Sequence, residues 1–215
     1  MVHALAHEIG QGTTPPELDA LMQRLDRVWH QLAFDAPWQS LQQREQARAS
    51  LVRLVAWHLA ERGRELVGTE VPFDVTVPVD GREVRLRGQV DRLERAPDGS
   101  LHVVDLKTGK TPPAKKELAE HLQLGTYQLV VREGGLGPGD PGGAELVQLR
   151  SDGPDGPLVL PQGALSDGWV DDLLSEAVRQ VVQEEFVPLV EDARCSRCAF
   201  ARCCPGSPEG RQVVS

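Results

Sequence analysis

Asp91 and Asp105, in GQVDR and VVDLKTG, close two apolar runs, and Lys107 follows Asp105 by two residues. Residues two apart on a strand share a face, so Asp105 and Lys107 point the same way. A short loop joins the two runs and brings the aspartates within reach of each other. Asp105 interrupts an otherwise apolar run, where a buried carboxylate is costly unless paired or bound to metal. Two carboxylates and an ammonium on one face offer hard oxygen ligands to Mg²⁺. The same cluster suits metal-assisted attack of water on a phosphodiester, the lysine positioning or deprotonating the water and stabilising the developing charge. Plain ion pairs compete with that reading: Asp91 with Arg92 at a strand end, and Asp105 with Lys107 on one face.

Three further features favour the site. Glu70 opens the alternating run EVPFDVTV and adds a carboxylate at the same sheet edge. Gln123 and Tyr127 in HLQLGTYQL are four apart, hence on one helical face, and Tyr127 is the only tyrosine. His3 and His7 in VHALAHE likewise share a helical face. Lys107, Lys110, Lys115 and Lys116 surround the loop after the third strand, as candidates for a phosphate backbone. KTGKT lacks the glycines of a phosphate loop, which excludes ATP binding there. His58 sits on the apolar side of its helix, His102 on the solvent side of its strand, and His121 near Gln123.

The elements that position these residues follow from periodicity. Residues 1–9 read as a helix, followed by helices over Glu17–Phe34 and Ser40–Leu66; the latter has Ala47, Leu51, Leu54, Val55, His58 and Leu59 on one face. Alternation predicts strands over Glu70–Val77, Val84–Arg95 and Leu101–Lys107, joined by VDGRE and APDG turns into an antiparallel meander. A helix over Lys115–Arg132, a glycine-proline loop over 134–143, strands over Ala144–Leu149 and Pro157–Leu160, and a helix over Asp167–Phe186 follow. The class is α/β, helices covering a mixed sheet. The expected divisions are a helical part over 1–66, an α/β core over 70–186, a cysteine segment over 195–204 and a polar tail over 205–215.

The formal net charge of -9 argues against capture of nucleic acid by bulk electrostatics, though not against nucleic acid held by metal ions. No apolar run reaches the roughly 20 residues of a membrane span, and MVHALAHEIG does not read as a signal peptide. All four cysteines lie between positions 195 and 204, which favours a cytoplasmic metal or cluster site over a disulfide framework.

Together, Gly88–Arg92 (GQVDR), Val103–Gly109 (VVDLKTG) and Gln123–Tyr127 (QLGTY) resemble the RecB-type nuclease domain of the PD-(D/E)XK superfamily, with the order of elements matching from residue 1 to 204. The resemblance implies a restriction-endonuclease-like core and a Mg²⁺- or Mn²⁺-dependent deoxyribonuclease, acting as an exonuclease on DNA ends in recombination or repair. It makes Asp91, Asp105 and the Leu106 carbonyl metal ligands and Lys107 the catalytic lysine. Glu70 becomes an auxiliary carboxylate, and Gln123 and Tyr127 contact DNA or support the site. It also implies a metal-ligating histidine on the first helix: His3 on helix register, with His7 the alternative. The residues that normally precede that histidine are missing before Met1, so a domain excised from a longer protein, or a fragment with a new start, is expected. Such domains sit at the C-terminal end of RecBCD- and AddAB-like subunits, which implies DNA, a helicase module and a partner subunit as partners.

Cys195, Cys198 and Cys204 are spaced C-x₂-C-x₅-C, with Cys203 beside the last. In several RecB-type nucleases such a triplet and one upstream cysteine hold a [4Fe–4S] cluster. Here no cysteine precedes Cys195, which leaves three readings: a cluster completed in a longer protein, a zinc site using Cys203 or Cys204, or free thiols. Two rivals remain, an inactivated nuclease-fold scaffold and a zinc-binding interaction domain. The intact carboxylates and lysine count against the first.

Overall fold

The computed structural model describes residues 1–166, 168–183, 188–191, 195–208 and 210. Helices α1 (Val2–Gly10), α2 (Leu18–Trp29) and α3 (Pro37–Leu59) precede strands β1 (Glu65–Val79), β2 (Arg82–Arg95) and β3 (Leu101–Lys107). Helix α4 (Leu122–Arg132), strands β4 (Pro141–Gly153) and β5 (Gly156–Gln162), and helix α5 (Trp169–Val182) follow. The chain divides into two compact units, Met1–Asp171 and Asp172–Ser215. The first holds the sheet and α1–α4. The second holds the rest of α5 and the cysteine segment.

The five strands run in sequence order. All neighbours are antiparallel except β3 and β4, whose parallel pairing requires the crossover through α4. The meander and the mixed sheet flanked by helices are as expected. Each face of the sheet has its own core. Leu101 and Val103 of β3 pack with Leu124, Val130 and Val131 of α4. Val104 and Leu106 pack with Leu5, Ile9, Leu51, Leu54 and Trp57 of α1 and α3. β3 is covered on both sides, which explains its nearly continuous apolar run.

Several boundaries differ from those expected. α3 stops at Leu59 instead of Leu66, because Ala60 is extended, Gly63 takes φ +66° and Arg62 Nη1 donates to the Trp57 carbonyl. Leu59 is therefore exposed rather than on the apolar face. The freed residues lengthen β1, so Glu70 lies within that strand rather than opening it. The helix expected from Lys115 is one 3₁₀ turn at Lys115–Glu117, and α4 begins at Leu122. Gln162 Nε2 donates to the Leu118 carbonyl (2.7 Å) and to that of Ala119 (3.2 Å), diverting acceptors a continuous helix would use. β4 starts inside the expected glycine-proline loop. Of the helix expected over Asp167–Phe186, Asp167 and residues 184–186 lie outside the described residues, as do 209 and 211–215 of the tail.

One irregularity positions the site. Thr69 and Arg92 pair across β1 and β2 and face α1 and α3: Thr69 Oγ1 bonds His7 Nδ1 (2.7 Å), and the Arg92 guanidinium lies 5.2 Å from the Trp57 ring centre. The pair two residues along, Val71 and Val90, faces the α4 core instead. Regular strands keep residues two apart on one face. The alternation breaks at the intervening Glu70 and Asp91, where Glu70 adopts the left-handed φ of +50°, uncommon for a residue with a side chain.

Candidate active site

His3, Glu70 and Asp91 converge here, each offering one ligand atom, all within 4.8 Å of one another. α1 supplies His3, whose Nδ1 lies 3.5 Å from Asp91 Oδ2. The bond to Asp91 raises the His3 pKa despite burial, with the Asp91, Glu70 and Asp105 charges adding to it. Gln89 Nε2 donates to Glu70 Oε2.

Asp91 stands opposite Asp105, one step beyond the last ladder pair, Arg92 with Val104. Asp105 is buried and turned toward other partners. Lys107 Nζ is 2.7 Å from its Oδ2 as an ion pair, and Gln123 Nε2 donates to Oδ1 at 2.9 Å. Burial raises the Asp105 pKa, with Lys107 opposing. Lys107 Nζ also donates to Gln123 Oε1 (2.8 Å), and Gln123 Nε2 to the Tyr127 hydroxyl (2.8 Å). Tyr127 meets Phe73 edge-on at 6.2 Å, and burial raises its pKa.

These donors fit a divalent cation. Two carboxylates and an imidazole converge, a set of oxygen and nitrogen ligands such an ion accepts, with the buried Asp105–Lys107 pair beside them. The two aspartates thus meet at the strand junction with carboxylates held by different neighbours. His7, the alternative to His3, is bonded to Thr69 and lies outside the three-group cluster.

The sequence profile of the PD-(D/E)XK nuclease superfamily matches residues 1–205. The chain belongs to the PD-(D/E)XK nuclease superfamily. Its mixed sheet with flanking helices is a restriction-endonuclease-like α/β fold, and PD-(D/E)XK nucleases are hydrolases that work with divalent metals such as Mg²⁺ or Mn²⁺. No match is found among curated proteins. A solved structure described as "Crystal structure of SSO0001" is similar at 18% identity and a TM-score of 0.47, covering 90% of this chain and 82% of that one.

Other expected residues stand outside the His3–Glu70–Asp91 group or play local parts. Lys110, Lys115 and Lys116 are exposed on the loop after β3. His121 caps α4, accepting weakly from the Leu124 amide at 3.4 Å. His102 is half-buried against Arg64 (3.0 Å), not on an open solvent face. In the second unit Cys195 and Cys204 are half-buried and Cys198 and Cys203 exposed, all as free thiols. Among the described residues these thiols do not converge into a metal-ligand group. No helix among the described residues is long and apolar enough to cross a membrane.

The sequence reading missed a buried charge cluster behind Asp91. Glu94, fully buried, receives Arg62 Nη2 (2.7 Å) and Arg92 Nε (2.6 Å) on Oε1 and pairs with Arg64 Nε (3.0 Å) through Oε2. Arg64 also binds Glu145 (3.0 Å), and Arg92 meets His58 (3.2 Å). Arg92 thus pairs with Glu94, not with Asp91. Two opposite charges two apart in an apolar strand, Arg92 and Glu94, are the signal that could have revealed it.

Proposed function

We propose that this chain is a Mg²⁺- or Mn²⁺-dependent deoxyribonuclease domain of RecB type, an exonuclease processing DNA ends within a larger helicase-nuclease. The convergence of His3, Glu70 and Asp91 beside the Asp105–Lys107–Gln123 cluster supports the metal-dependent chemistry. End processing, the helicase module and the partner subunit rest on the motif resemblance.

His3, Asp91, Asp105 and the Leu106 carbonyl would hold the cation, with Glu70 as an additional carboxylate. When bound, the ion supplies Lewis acidity and a lowered pKa to a coordinated water. The chain's own residues do the rest. Gln123 and Asp105 each engage one hydrogen of the Lys107 ammonium, leaving its third for the attacking water or a phosphate oxygen. Gln123 and Tyr127 line the approach, and Lys110, Lys115 and Lys116 meet the flanking phosphates. Cys195, Cys198 and Cys204 are proposed as a structural ligand set, for a [4Fe–4S] cluster completed in a longer protein or for zinc with Cys203 or Cys204.

The test is cleavage of end-labelled single- and double-stranded linear DNA with Mg²⁺, Mn²⁺ or EDTA, wild type beside Asp105→Ala and Lys107→Ala. Metal-dependent cutting lost in both variants supports the assignment. A folded wild type that binds DNA without cutting it overturns the nuclease reading in favour of a scaffold.

A further inference from the structure

We infer that the cross-strand pair Thr69–Arg92 acts as an anchor that aims the neighbouring Glu70 and Asp91 carboxylates at His3, which makes Thr69, His7, Arg92 and Glu94 positioning residues for the cation site. The inference rests on the metal-site reading above and extends it to residues that touch neither metal nor substrate.

Thr69 and Arg92 are directly paired, and both are buried. The residues that carry the carboxylates, Glu70 and Asp91, come next in each strand, where the alternation of faces breaks. Left to itself, a β-ribbon keeps its alternation, and Glu70 pays a conformational cost for its left-handed backbone. Something has to hold both strands in the reversed setting. On β1 it is the Thr69 hydroxyl, fixed by His7 Nδ1 at 2.7 Å. On β2 it is the Arg92 guanidinium, fixed by Glu94 at 2.6 Å and by the Trp57 ring.

The first bond has a second consequence. His7 lies one helical turn after His3 on the same face of α1. The Thr69–His7 bond therefore sets the position of the helix that presents His3 and of the strand that presents Glu70 together. α1 approaches closely enough that a Cβ on Gly10 would lie 2.4 Å from Thr69 Cγ2, so the helix is seated directly on this residue. Through one cross-strand pair, all three groups of the cluster are referred to a common point.

The experiment is Mn²⁺ binding to the full chain, followed by electron paramagnetic resonance of free Mn²⁺, with melting temperature recorded in parallel. Wild type is compared with Thr69→Val, Thr69→Ser, Glu94→Gln and Asp91→Ala. Thr69→Val keeps the shape of the side chain and removes the hydroxyl. It is expected to weaken Mn²⁺ binding about 10-fold, as loss of partners behind metal ligands commonly does, with an unchanged melting temperature. Thr69→Ser is expected to restore affinity, and Glu94→Gln to weaken it by a similar factor. Wild-type affinity in folded Thr69→Val and Glu94→Gln, with Asp91→Ala losing binding, overturns the anchor and leaves the metal site standing. A folded wild type that does not bind Mn²⁺ overturns both. If Thr69→Val melts early, failure of Thr69→Ser to recover affinity while recovering stability overturns the anchor.

Discussion

The Leu106 amide donates to Asp91 Oδ2 at 2.7 Å, a bond that crosses from β3 to β2 where their ladder ends. Asp91 thereby carries two duties. It closes the strand junction through its charge and acceptor oxygen, and it contributes a carboxylate to the group with His3 and Glu70.

Substitution can separate these duties. Asp91→Asn keeps an acceptor for the Leu106 amide and removes the negative charge; Asp91→Ala removes both. Asp91→Asn is expected to stay folded with Mn²⁺ binding lost. Asp91→Ala is expected to lose binding and also about 1.5–3 kcal/mol of stability, the worth of a hydrogen bond to a charged group. Parallel denaturation and metal titration decide it; equal stability of the two variants would refute the structural duty.

Gln123 is the only side chain described here that touches Asp105, Lys107 and Tyr127 together. Gln123→Ala is expected to lower the single-turnover cleavage rate about 10–100-fold, with the fold intact. Asn in its place is one methylene too short to span the same partners, so Gln123→Asn is expected to resemble Gln123→Ala. A rate within twofold of wild type in either variant would contradict this.

Gly125 lies in α4 between Gln123 and Tyr127, and a Cβ there would meet Trp169 Cη2 at 2.3 Å. Helix propensity alone predicts that Gly125→Ala gains about 1 kcal/mol. Overpacking costs about 1–3 kcal/mol, and the contact is too close to yield without moving the helix. The expected result is a net fall in melting temperature, about 2–4 °C for each kcal/mol lost, together with slower cleavage. A rise in melting temperature would show that Trp169 gives way freely.

His58 and His102 supply a pH prediction. Burial lowers the pKa of both, reinforced at His58 by Arg92 and Arg62 and at His102 by Arg64; Glu94 opposes at both, and Asp98 at His102. A depressed histidine stays neutral in the fold and takes a proton more readily once unfolded. Its stabilising contribution is full above the unfolded value of about 6.5 and is lost as pH falls through the folded value. Burial pushes Glu94 up, but Arg92 and Arg62 outweigh it and hold its pKa low, so its contribution is lost in the same direction at more acidic pH. The melting temperature is therefore expected to fall as pH drops below about 6.5. A His58→Asn, His102→Asn protein is expected to show a flatter slope there, and an unchanged slope would sink the assignment.

β3 was legible to the residue because it is apolar on both faces and bounded by a turn on one side and KTG on the other. The antiparallel meander was equally visible, since VDGRE and APDG leave little choice of hairpin. The start of α4 was hidden because it depends on Gln162, a residue distant in sequence that draws the Leu118 and Ala119 carbonyls away. The reversal at Glu70 and Asp91 was hidden for a related reason: a period-two pattern records which residues are apolar, not the point where a ribbon changes sides. Nothing in one dimension brings Arg62 and Arg64 to Arg92 and Glu94, and only their mutual proximity makes burial tolerable.

That proximity constrains descent. Three guanidiniums share one carboxylate at Glu94, so loss of the glutamate alone would leave cations confronting one another in a medium of low polarity. Positions 62, 64, 92, 94 and 145 are therefore expected to drift as a block among relatives, changing sign or turning apolar in concert. Lys110, Lys115 and Lys116, standing in water, are free to be replaced one at a time. Ancestry should be traceable for longer in the charges turned away from solvent than in those displayed beside the site.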